Sequence, residues 1–127
     1  MILIEISPGE LIDKLTILEI KLANFCDEAK LVSVRHEYEC LSAALQSESC
    51  PSEKIDSLRA KLKSINEQIW WLEDEIRDCE RVQDFGPRFV ELARSIYKSN
   101  DTRAELKRAL NKLLNSTITE EKSYAVY

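Results

Sequence analysis

From Ile55 to Cys79 the apolar residues of this chain recur at alternating steps of three and four. The series runs Ile55, Leu58, Leu62, Ile65, Ile69, Leu72, Ile76, Cys79. Neither glycine nor proline interrupts the stretch from Ser52 to Phe85. That spacing keeps one stripe on one face of a helix, and the stripe has to be buried against a partner. It predicts a long heptad helix over about 53–82. Only Gly9, Gly86 and three prolines occur in 127 residues, and 44% of the chain is hydrophobic and 32% charged. So few breakers argue against a many-stranded fold, and the length suits one domain. The expected architecture is all-α, a single helical domain over 1–127.

The other elements rest on local signals. Ile2, Ile4 and Ile6 give a short extended run that ends at Ser7-Pro8-Gly9-Glu10. There Ser7 can cap, Pro8 can take the first helical position, and Glu10 can reach back to the Ser7 amide, as in a capping box. A first helix over 8–25 carries Leu11, Leu15, Leu18, Leu22 and Phe25 inward. The stripe then loses phase, which favours a break near Asn24–Asp27 with Asp27 as a new cap. One long bent helix is the alternative. A second helix over 28–47 bears Leu31, Val34, Tyr38, Leu41 and Leu45.

Cys50-Pro51-Ser52 separates this helix from the long stripe, and a short connection makes consecutive helices antiparallel neighbours. The expected hairpin has coiled-coil character, with Leu45 facing Ile55, Leu41 facing Leu58, Tyr38 facing Leu62 and Val34 facing Ile65. Asp84-Phe85-Gly86-Pro87 forms the next break. Ser99-Asn100-Asp101 divides the C-terminal third into two short helices, 87–98 and 101–114. Tyr124–Tyr127 reads as an extended end that could pair with the N-terminal run as a short β ladder.

Residues 1–84 carry 10 Lys/Arg against 18 Asp/Glu, a net of −8, and residues 85–127 carry 8 against 5, a net of +3. The overall −5 argues against a nucleic-acid-binding surface over the whole molecule. Cys26, Cys40, Cys50 and Cys79 contain no CxxC pair, and the single His36 is not spaced to complete a zinc site. No metal or cofactor is expected. The N-terminal run lacks a basic leader, and no stretch approaches a membrane span. The expectation is a cytoplasmic protein with reduced thiols.

The sequence resembles a family of small uncharacterised bacterial and phage proteins, filed as a domain of unknown function. The resemblance rests on ISPGELIDKLTILEIKL (6–22), AKLVSVRHEYECL (29–41), ELARSIYKSNDTRAELKRALNKLLNS (91–116) and EEKSY (120–124). It covers nearly the whole chain. It implies a compact helical protein, sometimes encoded beside glycosyltransferase or surface-polysaccharide genes, with no catalytic residues to transfer.

Two groups of residues are candidate sites. A helix starting near Asn100 would offer unpaired amides, and Lys98, Arg103, Lys107 and Arg108 surround that start. Lys122, Ser123 and Tyr124 could close over it. That set suits a phosphorylated or nucleotide-sugar ligand. The competing explanation is that the basic side chains simply neutralise acidic neighbours. The second group is Ile17, Ile20, Trp70 and Trp71, apolar residues in excess of the seams, which suit an interface. Glu73–Asp74–Glu75 reads as a solvated face with Glu73 paired to Arg77, and His36 as a surface residue. The leading functional expectation is a non-catalytic interaction or assembly module, a homo-dimer or the partner of another helical protein. The ligand-binding reading stands second. An all-helical mutase of the chorismate mutase type comes third, weakened because Lys14 and Lys21 are the only basic residues of the first helix.

Overall fold

Ser7 starts the first helix as its spacing implies. Its side-chain oxygen accepts from the Glu10 amide at 3.2 Å, and Pro8 occupies the first turn of α1 (Pro8–Asn24). Only half of the capping box forms, because the Glu10 carboxylate turns away to Lys107. The computed structural model describes residues 1–48, 52–116, 118 and 120–127. The chain does break after α1. Asp27 Oδ1 accepts from the amides of Ala29 (2.9 Å) and Lys30 (3.2 Å) and starts α2 (Glu28–Glu48). The expected turn centre at Cys50-Pro51 lies outside the described residues.

The third helix, α3 (Glu53–Arg81), is 29 residues long, roughly 44 Å at 1.5 Å per residue. Ser52 stands at its N-cap but makes no side-chain capping bond. At its far end Gln83 adopts a left-handed φ of 56°, and the Asp84 amide reaches the Cys79 carbonyl at 2.9 Å. This closes the helix in the manner of a Schellman turn. Gly86 and Pro87 then open α4 (Pro87–Leu113).

Four helices and no strand among the described residues make the fold all-α. Three details of the expected arrangement need correction. First, the two short C-terminal helices, 87–98 and 101–114, are one continuous helix. Ser99-Asn100-Asp101-Thr102 are weak helix formers, but they give up only a few tenths of a kcal/mol each relative to better ones. Burial of Ser99 and the ion pair of Arg103 on α1 outweigh that.

Second, α2 and α3 do not form the heptad hairpin expected of 28–47 and 53–82. Among the described residues none of their Cα atoms come within 8 Å of each other, whereas α1 packs against α2, α3 and α4 alike. The heptad stripe of α3 is instead covered by α4 and α1. Leu62 is fully buried with Ile12 and Leu110, and Leu72 and Cys79 pack with Leu92, Phe89 and Ile96. Tyr38, expected on Leu62, places its hydroxyl 3.4 Å from Glu19 of α1. Only Leu45 and Ile55, the expected pair nearest the connection, reach the same cluster. Third, the two extended ends form no ladder among the described residues.

α2 buries only Leu31 and Val34. The fold is therefore a three-helix core of α1, α3 and α4, with α2 laid along α1.

Candidate functional site

Beside the apolar contact of Ile12 with Leu110, a row of polar contacts runs along the α1–α4 seam. Arg103, Lys107 and Asn111 recur every fourth residue on α4 and meet Asp13, Glu10 and Gly9 of α1, running the opposite way. Asp13 is only 1% exposed. Its Oδ1 accepts from Arg103 Nε at 2.9 Å and from Asn66 Nδ2 of α3 at 2.9 Å, and its Oδ2 accepts from Arg103 Nη2 at 2.5 Å. Asn66 also donates to Thr16 Oγ1 at 2.9 Å, and Thr16 donates to the Asp13 carbonyl at 2.8 Å. One turn further along α4, Lys107 Nζ lies 2.6 Å from Glu10 and 2.9 Å from Glu120. At the end of the seam the Gly9 amide donates to Asn111 Oδ1 at 2.7 Å. The seam thus ties three helices and the C-terminal segment into one network of charge-assisted bonds.

This changes the basic candidate site. Asn100 sits in mid-helix, so the helix start expected there, with its unpaired amides, does not exist. Arg103 and Lys107 face α1 and are neutralised by Asp13, Glu10 and Glu120. Lys98 and Arg108 remain exposed on the outer side of α4. Asn100 and Lys122 do come together, in a cleft of about 710 Å³ where the segment after α4 folds back. Tyr97, Asp101, Tyr124 and Tyr127 also line it. The Tyr127 hydroxyl donates to Asp101 Oδ2 at 2.7 Å, and the Tyr97 and Tyr127 rings meet edge to face at 5.3 Å.

The apolar candidates divide as well. Ile20 is buried and Ile17 half-buried. Trp70 is partly covered by the Phe25 ring, 6.1 Å away, while Trp71 remains 54% exposed. Both indoles, with Ile20, Glu67 and Asp74, line an open groove of about 470 Å³ between α1 and α3. Trp70, Ile17 and Arg103 share a smaller hollow of about 260 Å³ beside it. Elsewhere, Glu73 pairs with Arg77 as expected. Cys40 Sγ lies 3.8 Å from His36 Nε2 on the exposed side of α2, and Cys79 is a buried seam residue. Among the described residues no cluster of three metal-ligating side chains occurs, and no helix is long and apolar enough to cross a membrane.

A family model described as a family of unknown function, DUF6165, matches residues 2–127. The chain belongs to that family. No curated protein and no solved structure matches it. In this DUF6165 chain, the stretches 6–22 and 91–116 that stood out in the sequence are the two sides of the polar seam.

Sequence reasoning missed Asp13, Glu10 and Asn66. A signal was present: Asp13 falls between Ile12 and Leu15 on the apolar arc of α1, and Asn66 beside Ile65 on the seam of α3. A charge or amide inside an apolar stripe must find a buried partner.

The charges around the seam also set a pH response. Burial alone would raise the Glu19 carboxyl, but hydrogen bonds from Arg59 and Lys63 outweigh it and hold the group below its ordinary value. Glu120 is likewise held low by its hydrogen bond from Lys107. Burial works to lower Lys107, yet Glu10 and Glu120 together raise it. A carboxyl depressed in the folded state contributes stability that is complete above its ordinary value of 4.5 and is lost as the pH falls below it. Lys107 acts oppositely: its contribution is present below its ordinary value of 10.5 and is lost only as the pH rises beyond that. Urea midpoints should therefore stay level through neutral pH and fall steadily below about pH 4.5. A midpoint unchanged down to about pH 3 would contradict these pairings.

Proposed function

We propose that this chain is a non-catalytic assembly module that self-associates through the α1–α3 groove at Trp70 and Trp71. The observation that carries the reading is Trp71, 54% exposed at the mouth of an open groove. Large exposed aromatic side chains are the usual energetic anchors of protein contacts. The extended run Met1–Ile4, between 76% and 111% exposed, adds further unpartnered apolar surface.

A second copy of the chain suits the groove by charge. Its lining pairs Lys63 with Glu19 and leaves Glu67 and Asp74 to make it net acidic, in the part of the sequence with a net of −8. The outer side of α4 presents Lys98 and Arg108, in the part with a net of +3. Groove against α4 is a heterologous contact, which closes into rings or runs on as a chain of copies.

Light scattering over a concentration series tests this. Growth in mass with concentration is expected, weakened by salt. The chain's two tryptophans are both in the groove, so their emission should shift to the blue as copies associate. Trp71→Glu should weaken association about 30-fold or more, as a central tryptophan contributes about 2 kcal/mol. A strict monomer at every concentration and salt level would refute self-association.

A further inference from the structure

We infer that the cleft between α4 and residues 120–127 is a binding site for a small ligand with a planar ring and one anionic group. This inference is independent of assembly at Trp71. At about 710 Å³ the cleft is within the range of small-molecule sites, which run from roughly 300 to 1,000 Å³.

The way the segment is held argues that the space is built. Residues 120–127 stand on two polar pins. Glu120 binds Lys107 at 2.9 Å, and the Tyr127 hydroxyl donates to Asp101 at 2.7 Å. Beyond the edge-to-face contact of Tyr127 with Tyr97, burial of apolar side chains does little to hold it, because Tyr124 is 75% and Val126 100% exposed. The cleft is lined from α4 by Tyr97, Asn100 and Asp101 and from the C-terminal segment by Lys122 and residues 124–127.

The lining defines the ligand's chemistry. Tyr97, Tyr124 and Tyr127 offer phenol faces and edges to a flat ring, which packs best in offset or edge-to-face contact. Asn100 carries both a donor and an acceptor for the polar edge of a heterocycle. Among the described residues Lys122 is the one cation lining the cleft; the Asp101 carboxylate keeps its charge but accepts from Tyr127, so an anionic group has Lys122 as its one charged partner. A single ammonium beside aromatic surface selects a carboxylate or phosphate attached to a ring, and it discriminates against either half alone.

Isothermal titration of the full chain with the four common nucleoside 5′-monophosphates and with indole-3-acetate tests this. Adenosine and inorganic phosphate serve as the separate halves. At least one ring-bearing anion should bind saturably, at least about tenfold more tightly than adenosine or phosphate. Lys122→Ala and Tyr124→Ala should each weaken it about tenfold. Both positions are exposed, so circular dichroism should show the fold retained. Trp71→Glu should leave binding unchanged. The proposal is overturned if no member of the panel binds saturably, if phosphate alone binds as well as the ring-bearing anion, or if Lys122→Ala and Tyr124→Ala together leave affinity intact.

Discussion

Arg103→Ala is expected to destabilise the fold by roughly 3–5 kcal/mol, the cost of breaking a buried ion pair by removing one partner. The loss comes mainly from the group left behind. Asp13 is 1% exposed and is held by Arg103 through both oxygens. Without the guanidinium, its carboxylate would keep only the Asn66 amide as a side-chain donor among the described residues. Asp13 also makes Arg103 harder to deprotonate, chiefly through the hydrogen bond and against the opposing effect of burial. Because Arg103 is 28% exposed on its outer side, water can enter after truncation and bring the loss toward the low end. Arg103→Lys should recover little, since an ammonium cannot reproduce the two-pronged contact. Replacing both residues, Asp13→Leu with Arg103→Leu, should recover a large part, because no charge then remains unpaired. Urea denaturation of the three variants separates these terms. A loss below about 1 kcal/mol for Arg103→Ala would mean that the pair is solvated and does not lock α4 to α1.

Gly9→Ala is expected to cost about 2–3 kcal/mol, from overpacking at a close backbone approach. Helix propensity alone predicts the opposite sign, since alanine is favoured over glycine by about 1 kcal/mol in a helix. The neighbours decide the matter. A β-carbon on Gly9 would fall onto the Lys107 carbonyl oxygen and within 2.7 Å of Asn111 Oδ1. Part of that obstacle is backbone, which cannot rotate aside. α1 would have to move off α4, stretching the buried bond from the Gly9 amide to Asn111 and the Glu10–Lys107 pair beside it. Gly86→Ala gives the comparison. Its new methyl meets nothing nearer than Asp84 Oδ1 at 3.2 Å, so the change should cost about 1 kcal/mol or less, that of a poorer N-cap. Equal effects at the two glycines would show that α1 and α4 stand far enough apart to admit a methyl group.

Much of the architecture could be read locally. Ser7-Pro8, Asp27 and Gly86-Pro87 each start a helix where their chemistry implies, because capping involves atoms only a few residues apart. The α3 stripe and the buried position of Cys79 were legible for the same kind of reason, a period fixed by helix geometry. The candidate sites were only half legible. Tryptophans in excess of a seam mark Trp70 and Trp71, but sequence does not say which of the two Phe25 shields. Clustered basic residues mark Lys98–Arg108, but not that Arg103 and Lys107 turn inward while Asn100 joins Lys122 under the folded-back segment.

By itself, then, the sequence determined that this protein is helical, where its four helices begin, and which stripe of α3 must be buried. Those properties depend on hydrogen bonds and side-chain periods within a few turns. Tertiary structure decided which partner covers that stripe, that α4 runs unbroken through Ser99–Thr102, and that Asp13 and Arg103 meet across 90 residues of chain. A heptad pattern states that a face needs covering and leaves the partner open. α4 and α1 cover the α3 stripe, and they bring with them a buried ion pair whose two halves must be satisfied together.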